Sequence, residues 1–250
     1  MSATQLEQAL TLAGLSAPVH WQEVTGSTNE TAAALAAEGT PEWTLVGAGH
    51  QTAGRGRHGR VWLDRPGGAL MTSLVLRPRI APESGGLLTL LAGAAWAEAA
   101  TEVSGRSVRC KWPNDLVLGD EKVGGVLAES AIDEGTIRWV VIGSGINLVR
   151  PEDVDGAAGL GVATDPVALL AGFLIRFAEC YRAAPGELAS VVGSRWSAVS
   201  ATLGRRVAVI AIDGTRREGL AVAVDEHGRL VLRTVEGSLS VASDEIEHLR

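Results

Sequence analysis

The pattern of the chain changes at Arg205, and that change limits the fold more than any other feature of the sequence. Before this residue, helical patterns alternate with strand-like segments. After it come four short β-like runs, RVAVIAI, REGLAVAV, RLVLRT and GSLSVA, separated by the turn signals Asp213-Gly214, His227-Gly228 and Glu236-Gly237. We therefore expect two units, residues 1–203 and 204–250, of which the second is a small β-barrel.

The first unit carries enough helix and strand signals for a layered domain. Helices are predicted over residues 4–12, 27–39, 84–103, 166–182 and 185–203. Strands are predicted over residues 20–24, 43–49, 69–76, 108–112, 123–132 and 136–146. Because turns link several successive strands, we expect a mixed, largely antiparallel sheet covered by helices, which is an α+β domain.

Composition excludes several classes of protein. The 250 residues are 46% hydrophobic, which supplies a sizeable core. The net charge of -7 disfavours a general nucleic-acid coat, because duplex binding depends on neutralising phosphates. The longest apolar stretch, from Gly85, is interrupted by Glu98 and is shorter than the ~20 residues of a membrane helix. With no signal sequence at the N-terminus, we expect a cytoplasmic protein with neither DNA nor a membrane as partner.

Two residue types are rare in this chain. Cys110 and Cys180 lie far apart without metal-ligand or redox spacing, so we expect buried free thiols. Of the 22 basic residues, only Lys111 and Lys122 are lysines. A lysine ammonium is a compact point charge, whereas an arginine guanidinium is a planar fork, so both positions favour a point charge.

The segment AGHQTAGRGRHGRVW, residues 48–62, has no helical or strand periodicity and is interpreted as an anion-binding loop. Its glycines let backbone N–H groups approach a ligand, while Arg55, Arg57 and Arg60 suit phosphate or carboxylate. Taken alone, the segment is equally compatible with a solvated turn or an arginine-rich nucleic-acid patch.

The segment CKWPNDLVL, residues 110–118, favours ligand binding. On a pleated strand Arg109 and Lys111 share one face, and Cys110 and Trp112 share the other. Lys111 can therefore point at a ligand while Trp112 packs. For this segment alone, a surface charge before a Pro-Asn-Asp turn remains the alternative.

Three further segments offer groups for a small polar ligand. Ser27 and Glu30 have the spacing of a capping box at the start of the second helix, where free N–H groups are exposed. The segments EKVGGVLAES and VVIGSGINL place glycines on strands and permit close backbone approach to a ligand. The second contains GxGxN, but it lacks the third glycine, the following helix and the downstream acid of a dinucleotide-binding fingerprint.

Taken in order, STN, GRGRHGR-x-W, KWPND, K-x-GG and GxGxN resemble the motifs of the biotin protein ligases, which biotinylate carboxylase carrier domains. Each motif is short, but five in the same order and at comparable spacing over residues 27–147 are specific. The resemblance implies a class II synthetase-like catalytic domain and an SH3-like C-terminal barrel. Lipoate ligases share the catalytic fold and adenylation chemistry, although the arginine and KWPND motifs favour biotin.

The resemblance also implies roles for individual positions. Those given a catalytic role are Lys111, Arg55 and Arg57. Those given to biotin are Ser27, Thr28, Asn29, Gln51, Arg55, Arg57, Lys111 and Gly125. Those given to ATP or the adenylate are Arg57, Arg60, Trp62, Lys122, Gly145 and Asn147. Position 58 varies in the family, so His58 receives no role, and no metal ligand is assigned.

The reaction implied by the resemblance uses ATP and Mg²⁺ to make biotinyl-5′-adenylate. A lysine of the biotin carboxyl carrier domain of an acyl-CoA carboxylase then takes the biotinyl group. The glycine-rich loop is expected to order as it closes over the adenylate. Asp115 either stabilises its turn, which is the preferred interpretation, or orients Lys111 or Mg²⁺. About 25 residues precede Ser27, too few for a helix-turn-helix domain, so we expect a ligase that does not bind DNA.

Overall fold

The computed structural model describes residues 1–182, 186–210, 214–242 and 245–249. Its helices are α1 (Ala3–Leu12), α2 (Thr28–Ala37), α3 (Gly85–Ser104), α4 (Pro166–Tyr181) and α5 (Leu188–Ala198). The first four agree with the predicted ranges to within two residues. The fifth is shorter than predicted, and Pro185, where it was expected to begin, lies outside the described residues.

Local sequence explains where these helices begin and end. The Asp165 side chain accepts a hydrogen bond from the Val167 backbone N–H, and Pro166 follows it in the first turn of α4. Gly105 ends α3 in the left-handed conformation, with φ of 69°. None of the helices among the described residues is long and apolar enough to cross a membrane.

A seven-stranded sheet forms the centre of the first unit. Its strands are β1 (Val19–Thr25), β2 (Leu45–Gln51), β3 (Ala69–Leu76), β4 (Val108–Lys111), β5 (Asp115–Leu118), β6 (Glu121–Asp133) and β7 (Thr136–Asn147). They lie in the order β1-β2-β3-β7-β6-β5-β4, and only β1 and β2 pair in parallel. The prediction of a mixed, largely antiparallel sheet is confirmed, whereas β5 was not predicted.

Strand alternation divides the core between the two faces of this sheet. Leu45 and Leu74 pack into the large core that includes α1, α3, α4 and α5. Their neighbours Val46 and Val75 face the other way, into a small cluster with Ala32 and Ala36 of α2. Because α2 covers only part of its face, the remaining sheet surface on that side is available to a ligand.

The C-terminal region forms a second, antiparallel sheet of five strands. These are β8 (Arg206–Ile210), β9 (Arg216–Val224), β10 (Leu230–Thr234), β11 (Gly237–Val241) and β12 (Glu245–His248), in the order β11-β10-β9-β8-β12. Its all-β character is confirmed, but over the described residues no pairing of β11 with β12 closes it into a barrel. The predicted Asp213 turn position lies outside the described residues, and β12 was not predicted.

The second sheet packs against the KWPND segment. The backbone N–H of Trp112 donates to Thr202 Oγ1 at 3.0 Å, and its indole Nε1 donates to the carbonyl of Gly228 at 3.2 Å. Cys110 pairs with the chain at Val199 and Ala201 through backbone hydrogen bonds. The segment that carries Lys111 is therefore held from both sides.

Candidate functional site

A cavity of about 240 Å³ lies on the face of the large sheet that α2 partly covers. It contains every residue predicted to bind biotin and all but one of those predicted to bind ATP. The cations among its lining residues are Arg55, Arg57, Arg60, Lys111 and Lys122, and among the described residues the one lining carboxylate is that of Asp115. Such an excess of positive charge suits a ligand with several negative groups.

The start of α2 forms one wall of the cavity, but it does so without the predicted capping box. The Ser27 side chain makes no capping hydrogen bond, and Glu30 lies 3.4 Å from Arg55 Nη1. Glu30 Oε2 stays near the helix end, 3.7 Å from where a Cβ of Gly26 would lie, while its Oε1 faces Arg55. That prediction was therefore wrong for the side chains, although Ser27 does precede the first residue of the helix.

Thr28 and Gln51 hold each other at this wall. Gln51 Oε1 accepts hydrogen bonds from the backbone N–H of Thr28 at 2.7 Å and from its hydroxyl at 3.1 Å. Behind Gln51, the buried Asp64 carboxylate accepts from the Gln51 backbone N–H at 3.3 Å and lies 2.9 Å from His50 Nδ1. Among the described residues, no hydrogen bond involves the amide nitrogen of Gln51, which can therefore donate to a ligand.

Asn29 is buried and its amide is fully used within the protein. Its Oδ1 accepts from Ser73 Oγ at 2.6 Å, and its Nδ2 donates to Glu129 Oε2 at 2.8 Å and to the Leu127 carbonyl at 3.3 Å. A side chain with every polar atom already paired shapes the cavity wall. Ser73 and Glu129 were not predicted, since each is an ordinary residue in a strand pattern.

The arginine segment is a small hairpin, called here the arginine hairpin and comprising residues 54–62. The Trp62 N–H donates to the Gly54 carbonyl at 2.9 Å, and the Gly56 N–H donates to the Arg60 carbonyl at 2.7 Å. His58 and Gly59 turn the chain with φ of 56° and 73°. A Cβ at Gly54 would lie 2.5 Å from the Trp62 carbonyl oxygen, so only glycine fits there.

Two cations flank the opposite wall. Lys122 Nζ forms an ion pair with Asp115 Oδ1 at 2.6 Å and lies 5.9 Å from the ring centre of Trp62. Lys111 Nζ has no hydrogen bond or ion pair within the part of the chain that the structure describes. Asp115 therefore orients Lys122 and leaves the Lys111 ammonium available to a ligand.

Asn114 ties the KWPND turn to the neighbouring strand and to the arginine hairpin. Its Nδ2 donates to the Val126 carbonyl at 2.8 Å, and its Oδ1 lies 3.4 Å from Arg57 Nη1. Trp112, next along the chain from Lys111, is buried at 2% exposure, as strand alternation predicted. Cys110 is buried too, and burial raises the pKa of its thiol well above the usual range, which agrees with an unreactive role.

The floor of the cavity is made of glycines, Gly125 on β6 with Gly143 and Gly145 on β7, called here the glycine floor. A Cβ at Gly145 would lie 2.6 Å from Trp62 Cε2, so the indole rests directly on the backbone. The Trp62 Nε1 is buried and has no partner among the described residues. An unpaired buried donor beside five cations points to an acceptor group on a ligand.

Two residues lie differently from expectation. Asn147 is absent from the cavity lining, and its Nδ2 donates to the Ala158 carbonyl at 3.1 Å. Ile246 of β12 does line the cavity, so the second sheet supplies part of the wall. No pattern in the sequence pointed to Ile246, because β12 is four residues long and mostly polar.

His248 of the same strand lies behind Lys111. Burial and the nearby charges of Lys111 and Arg205 lower its pKa to about 4. Arg205 Nη1 lies 3.2 Å from His248 Nδ1, and His248 Nε2 lies 3.3 Å from Thr202 Oγ1. A neutral ring satisfies both contacts, since Nδ1 accepts from the guanidinium while Nε2–H donates to the hydroxyl.

Comparison with known proteins agrees with this site. The signature of the "Biotin/lipoate A/B protein ligase family" matches residues 21–147, and that of the "Biotin protein ligase C terminal domain" matches residues 202–249. A biotin–[acetyl-CoA-carboxylase] ligase of Paracoccus denitrificans is 33% identical over 238 residues, which are 89% of this chain and 97% of that protein. The bifunctional ligase/repressor BirA of Bacillus subtilis is 35% identical over 237 residues, covering 91% of this chain and 73% of BirA.

A solved structure is similar over nearly the whole chain. The biotin protein ligase of Aquifex aeolicus in complex with biotin and ATP superposes with a TM-score of 0.74 at 27% identity. The match covers 93% of this chain and 99% of the Aquifex chain. The chain therefore belongs to the biotin/lipoate A/B protein ligase family and, within it, to the biotin protein ligases.

Proposed function

We propose that this protein activates biotin with ATP and transfers it to a lysine of a biotin carboxyl carrier domain, such as that of an acyl-CoA carboxylase. The observation that carries the proposal is the cavity itself, where five cations surround a glycine floor and the one carboxylate among the described lining residues, that of Asp115, is paired with Lys122. A carboxylate and a triphosphate repel each other, and such a cavity neutralises both. The Paracoccus relative is named as a biotin–[acetyl-CoA-carboxylase] ligase, and the Aquifex ligase was solved in complex with biotin and ATP.

The first half-reaction joins biotin to AMP. An oxygen of the biotin carboxylate attacks the α-phosphorus of ATP, the bond from that phosphorus to the β-phosphate oxygen breaks, and pyrophosphate leaves. Lys111, Arg55 and Arg57 are our catalytic residues, because charge that develops on the transferring phosphate is stabilised by fixed cations. Lys111 suits this role best, since its ammonium has no partner among the described residues.

We assign the two ends of the ligand to the two walls of the cavity. Biotin lies along Ser27, Thr28, Asn29, Gln51, Arg55, Arg57, Lys111 and Gly125, with Asn29 acting through the shape of the wall. The adenylate lies along Arg57, Arg60, Trp62, Lys122, Gly145 and Asn147. Asn147 does not line the cavity and supports this wall from the end of β7, because its side chain donates to the Ala158 carbonyl and its own carbonyl accepts from Leu160.

Mg²⁺ is expected to arrive with ATP. The described residues hold no group of three or more histidine, cysteine or acidic side chains suited to a metal, and Asp115 is paired with Lys122. Phosphate oxygens and water are ordinary Mg²⁺ ligands, so the ion needs little from this protein. When bound, it supplies further positive charge on the phosphates.

In the second half-reaction the lysine amine of the carrier attacks the acyl carbon of the adenylate. The new C–N bond forms, AMP leaves and the amine loses a proton. We propose that the arginine hairpin covers the adenylate at this stage and excludes water, which would otherwise hydrolyse the mixed anhydride.

We further propose that residues 1–203 form the catalytic unit and residues 204–250 a second unit that completes the cavity wall through Ile246. The cytoplasm is the proposed location, since ATP, biotin and carboxylases are used there.

The deciding experiment is ATP–pyrophosphate exchange with biotin or lipoate as the only acid, followed by covalent transfer to a carrier domain. Biotin-dependent exchange and transfer are the expected result. Exchange with lipoate alone would assign the protein to the sister activity. Exchange with neither acid, in folded protein supplied with Mg²⁺, would contradict the proposal.

A further inference from the structure

Glu129 is an acidic side chain at the rim of a cationic site, and the proposed mechanism does not use it. Alternation along β6 puts it on the same face as Gly125 and Leu127, which line the cavity. Its side chain is 29% exposed. The row of residues that forms the cavity floor therefore ends in a partly exposed carboxylate.

The two oxygens of Glu129 have different partners. Oε2 accepts a hydrogen bond from Asn29 Nδ2 at 2.8 Å, whereas Oε1 lies 3.4 Å from Arg55 Nη1. The first contact is a short bond to a buried amide, and the second is long for a charge-assisted hydrogen bond. The hydrogen bond from Asn29 is thus the stronger contact of Glu129. At Arg55, a ligand carboxylate can replace Glu129 as the partner of the guanidinium.

Arg55 is shared rather than bound tightly. Its Nη1 is also 3.4 Å from Glu30 Oε1, so two carboxylates neutralise one guanidinium and neither approaches closely. A carboxylate that meets the guanidinium in the bidentate geometry makes shorter and stronger bonds than either. A carboxylic acid ligand can therefore take over Arg55.

We propose that Glu129 is a positioning residue that holds Arg55 beside Asn29 until the carboxylate of biotin replaces it on the guanidinium. This inference rests on the proposed function, because it requires biotin as the ligand of Arg55. The two contacts of Glu129 then act on biotin affinity in opposite directions. Its charge competes with the ligand carboxylate, while its hydrogen bond keeps the Asn29 wall in shape.

The variant Glu129→Gln separates these effects, since glutamine keeps an acceptor oxygen for Asn29 but carries no charge. Calorimetric titrations with biotin and with the uncharged biotinamide give the readout. E129Q should bind biotin about two- to fivefold more tightly, as expected from removing one partly exposed like charge, with biotinamide affinity unchanged. E129A should weaken both ligands by about tenfold, because the buried Asn29 donor loses its partner.

The matched control is Glu30→Gln, which removes the other carboxylate near Arg55 at a side chain that is 58% exposed. It should raise biotin affinity less than E129Q and leave biotinamide unaffected. The inference would be overturned if E129Q lowered the affinity for both ligands equally, or changed neither affinity. In that case, binding of biotin by the wild-type protein would still leave the proposed function intact. Wild-type protein that binds neither ligand would overturn both.

Discussion

The arginine hairpin and the glycine floor form two sides of one cavity and differ in almost every physical respect. The hairpin is exposed, holds three arginines and is closed by a few backbone bonds. The floor belongs to a continuous ladder, with Gly125 paired to Gly145, and its glycines have no side chains. The arginine hairpin, which has few backbone hydrogen bonds, thus supplies positive charge. The glycine floor, which belongs to a central sheet, supplies the shape of the cavity.

This division has a chemical reason. A cation that stabilises the transferring phosphate must be in place before the reaction, whereas a cover must admit the substrate first. Lys111 lies on β4, which is held on one side by β5 and on the other by the chain around Val199. It therefore belongs with the rigid side, although it carries charge like the hairpin.

The largest effect on activity is expected from Lys111→Ala. This variant tests whether the cation on the sheet contributes more to catalysis than the cations of the arginine hairpin. Loss of a preorganised cation should lower kcat/KM about 10²- to 10³-fold in both half-reactions. Pyrophosphate exchange measures the first, and transfer from supplied biotinyl-5′-adenylate measures the second. Normal adenylate formation by K111A would contradict the role given to Lys111.

Two controls sharpen that test. Lys111→Arg keeps the charge but replaces a point charge with a fork, so it should recover only part of the activity. Arg216→Ala removes a cation from an exposed ion pair with Glu247 on the second sheet and should leave both rates near wild type.

The next largest effect is expected from Gly145→Ala, which breaks the shape of the floor. The new methyl group would lie 2.6 Å from Trp62 Cε2 and must displace the indole. We expect the KM for ATP to rise by about tenfold or more, because overpacking of 1–3 kcal/mol falls on the nucleotide wall. The variant Gly193→Ala is the control, since its Cβ would meet only Val224 Cγ2 at 4.0 Å. Equal KM values for the two variants would show that the floor need not be bare.

The rigid side was also the more predictable one. The strand β3 coincides with its predicted range, because it is a short, mostly apolar run of strand length that is buried on both faces. Arg109 and Lys111 were placed on one face by the alternation of side chains along a strand, and the burial pattern of β4 agrees. The order of the motifs along the chain then identified the site residues. These short segments lie far apart in the sequence, and only the fold brings them together.

What the sequence could not supply depends on tertiary contacts. The residues Ser73 and Glu129 look like ordinary strand positions, and their importance comes from Asn29, which lies far away in the chain. The predicted capping box does not form, and Glu30 instead pairs with Arg55, which lies 25 residues further along the chain. The strands β5 and β12 have four residues each, too few to show a period.

Limited trypsin digestion tests whether the arginine hairpin closes over bound ligands. Cleavage after Arg55, Arg57 or Arg60 should slow by about tenfold when biotin and ATP are both present, since a closed hairpin is withdrawn from the protease. Cleavage at Arg217, on the second sheet, supplies the internal reference and should not change. Equal hairpin cleavage with and without ligands would remove the argument that this segment acts as a cover.

The smallest expected effect is on the free energy of unfolding and concerns His248, a residue of the second sheet that lies behind Lys111. Its pKa is lowered to about 4, so between that value and its ordinary 6.5 the unfolded chain binds a proton that the folded protein does not. The stability of the folded state should therefore fall as the pH drops from 6.5 towards 4. Allowing for partial exposure, the loss is of order 1 kcal/mol, or about 2–4 °C in Tm.

His248→Gln tests this assignment, because glutamine can accept from Arg205 and donate to Thr202 without titrating. The Tm of H248Q should fall less than that of the wild-type protein between pH 7 and pH 5, while the two proteins melt similarly at pH 7. Parallel curves would mean that other groups govern acid sensitivity. A steeper fall in the wild type would show that this ring is neutral in the folded protein, as its burial and the charges of Lys111 and Arg205 require, and that a residue of the second sheet contributes to acid sensitivity.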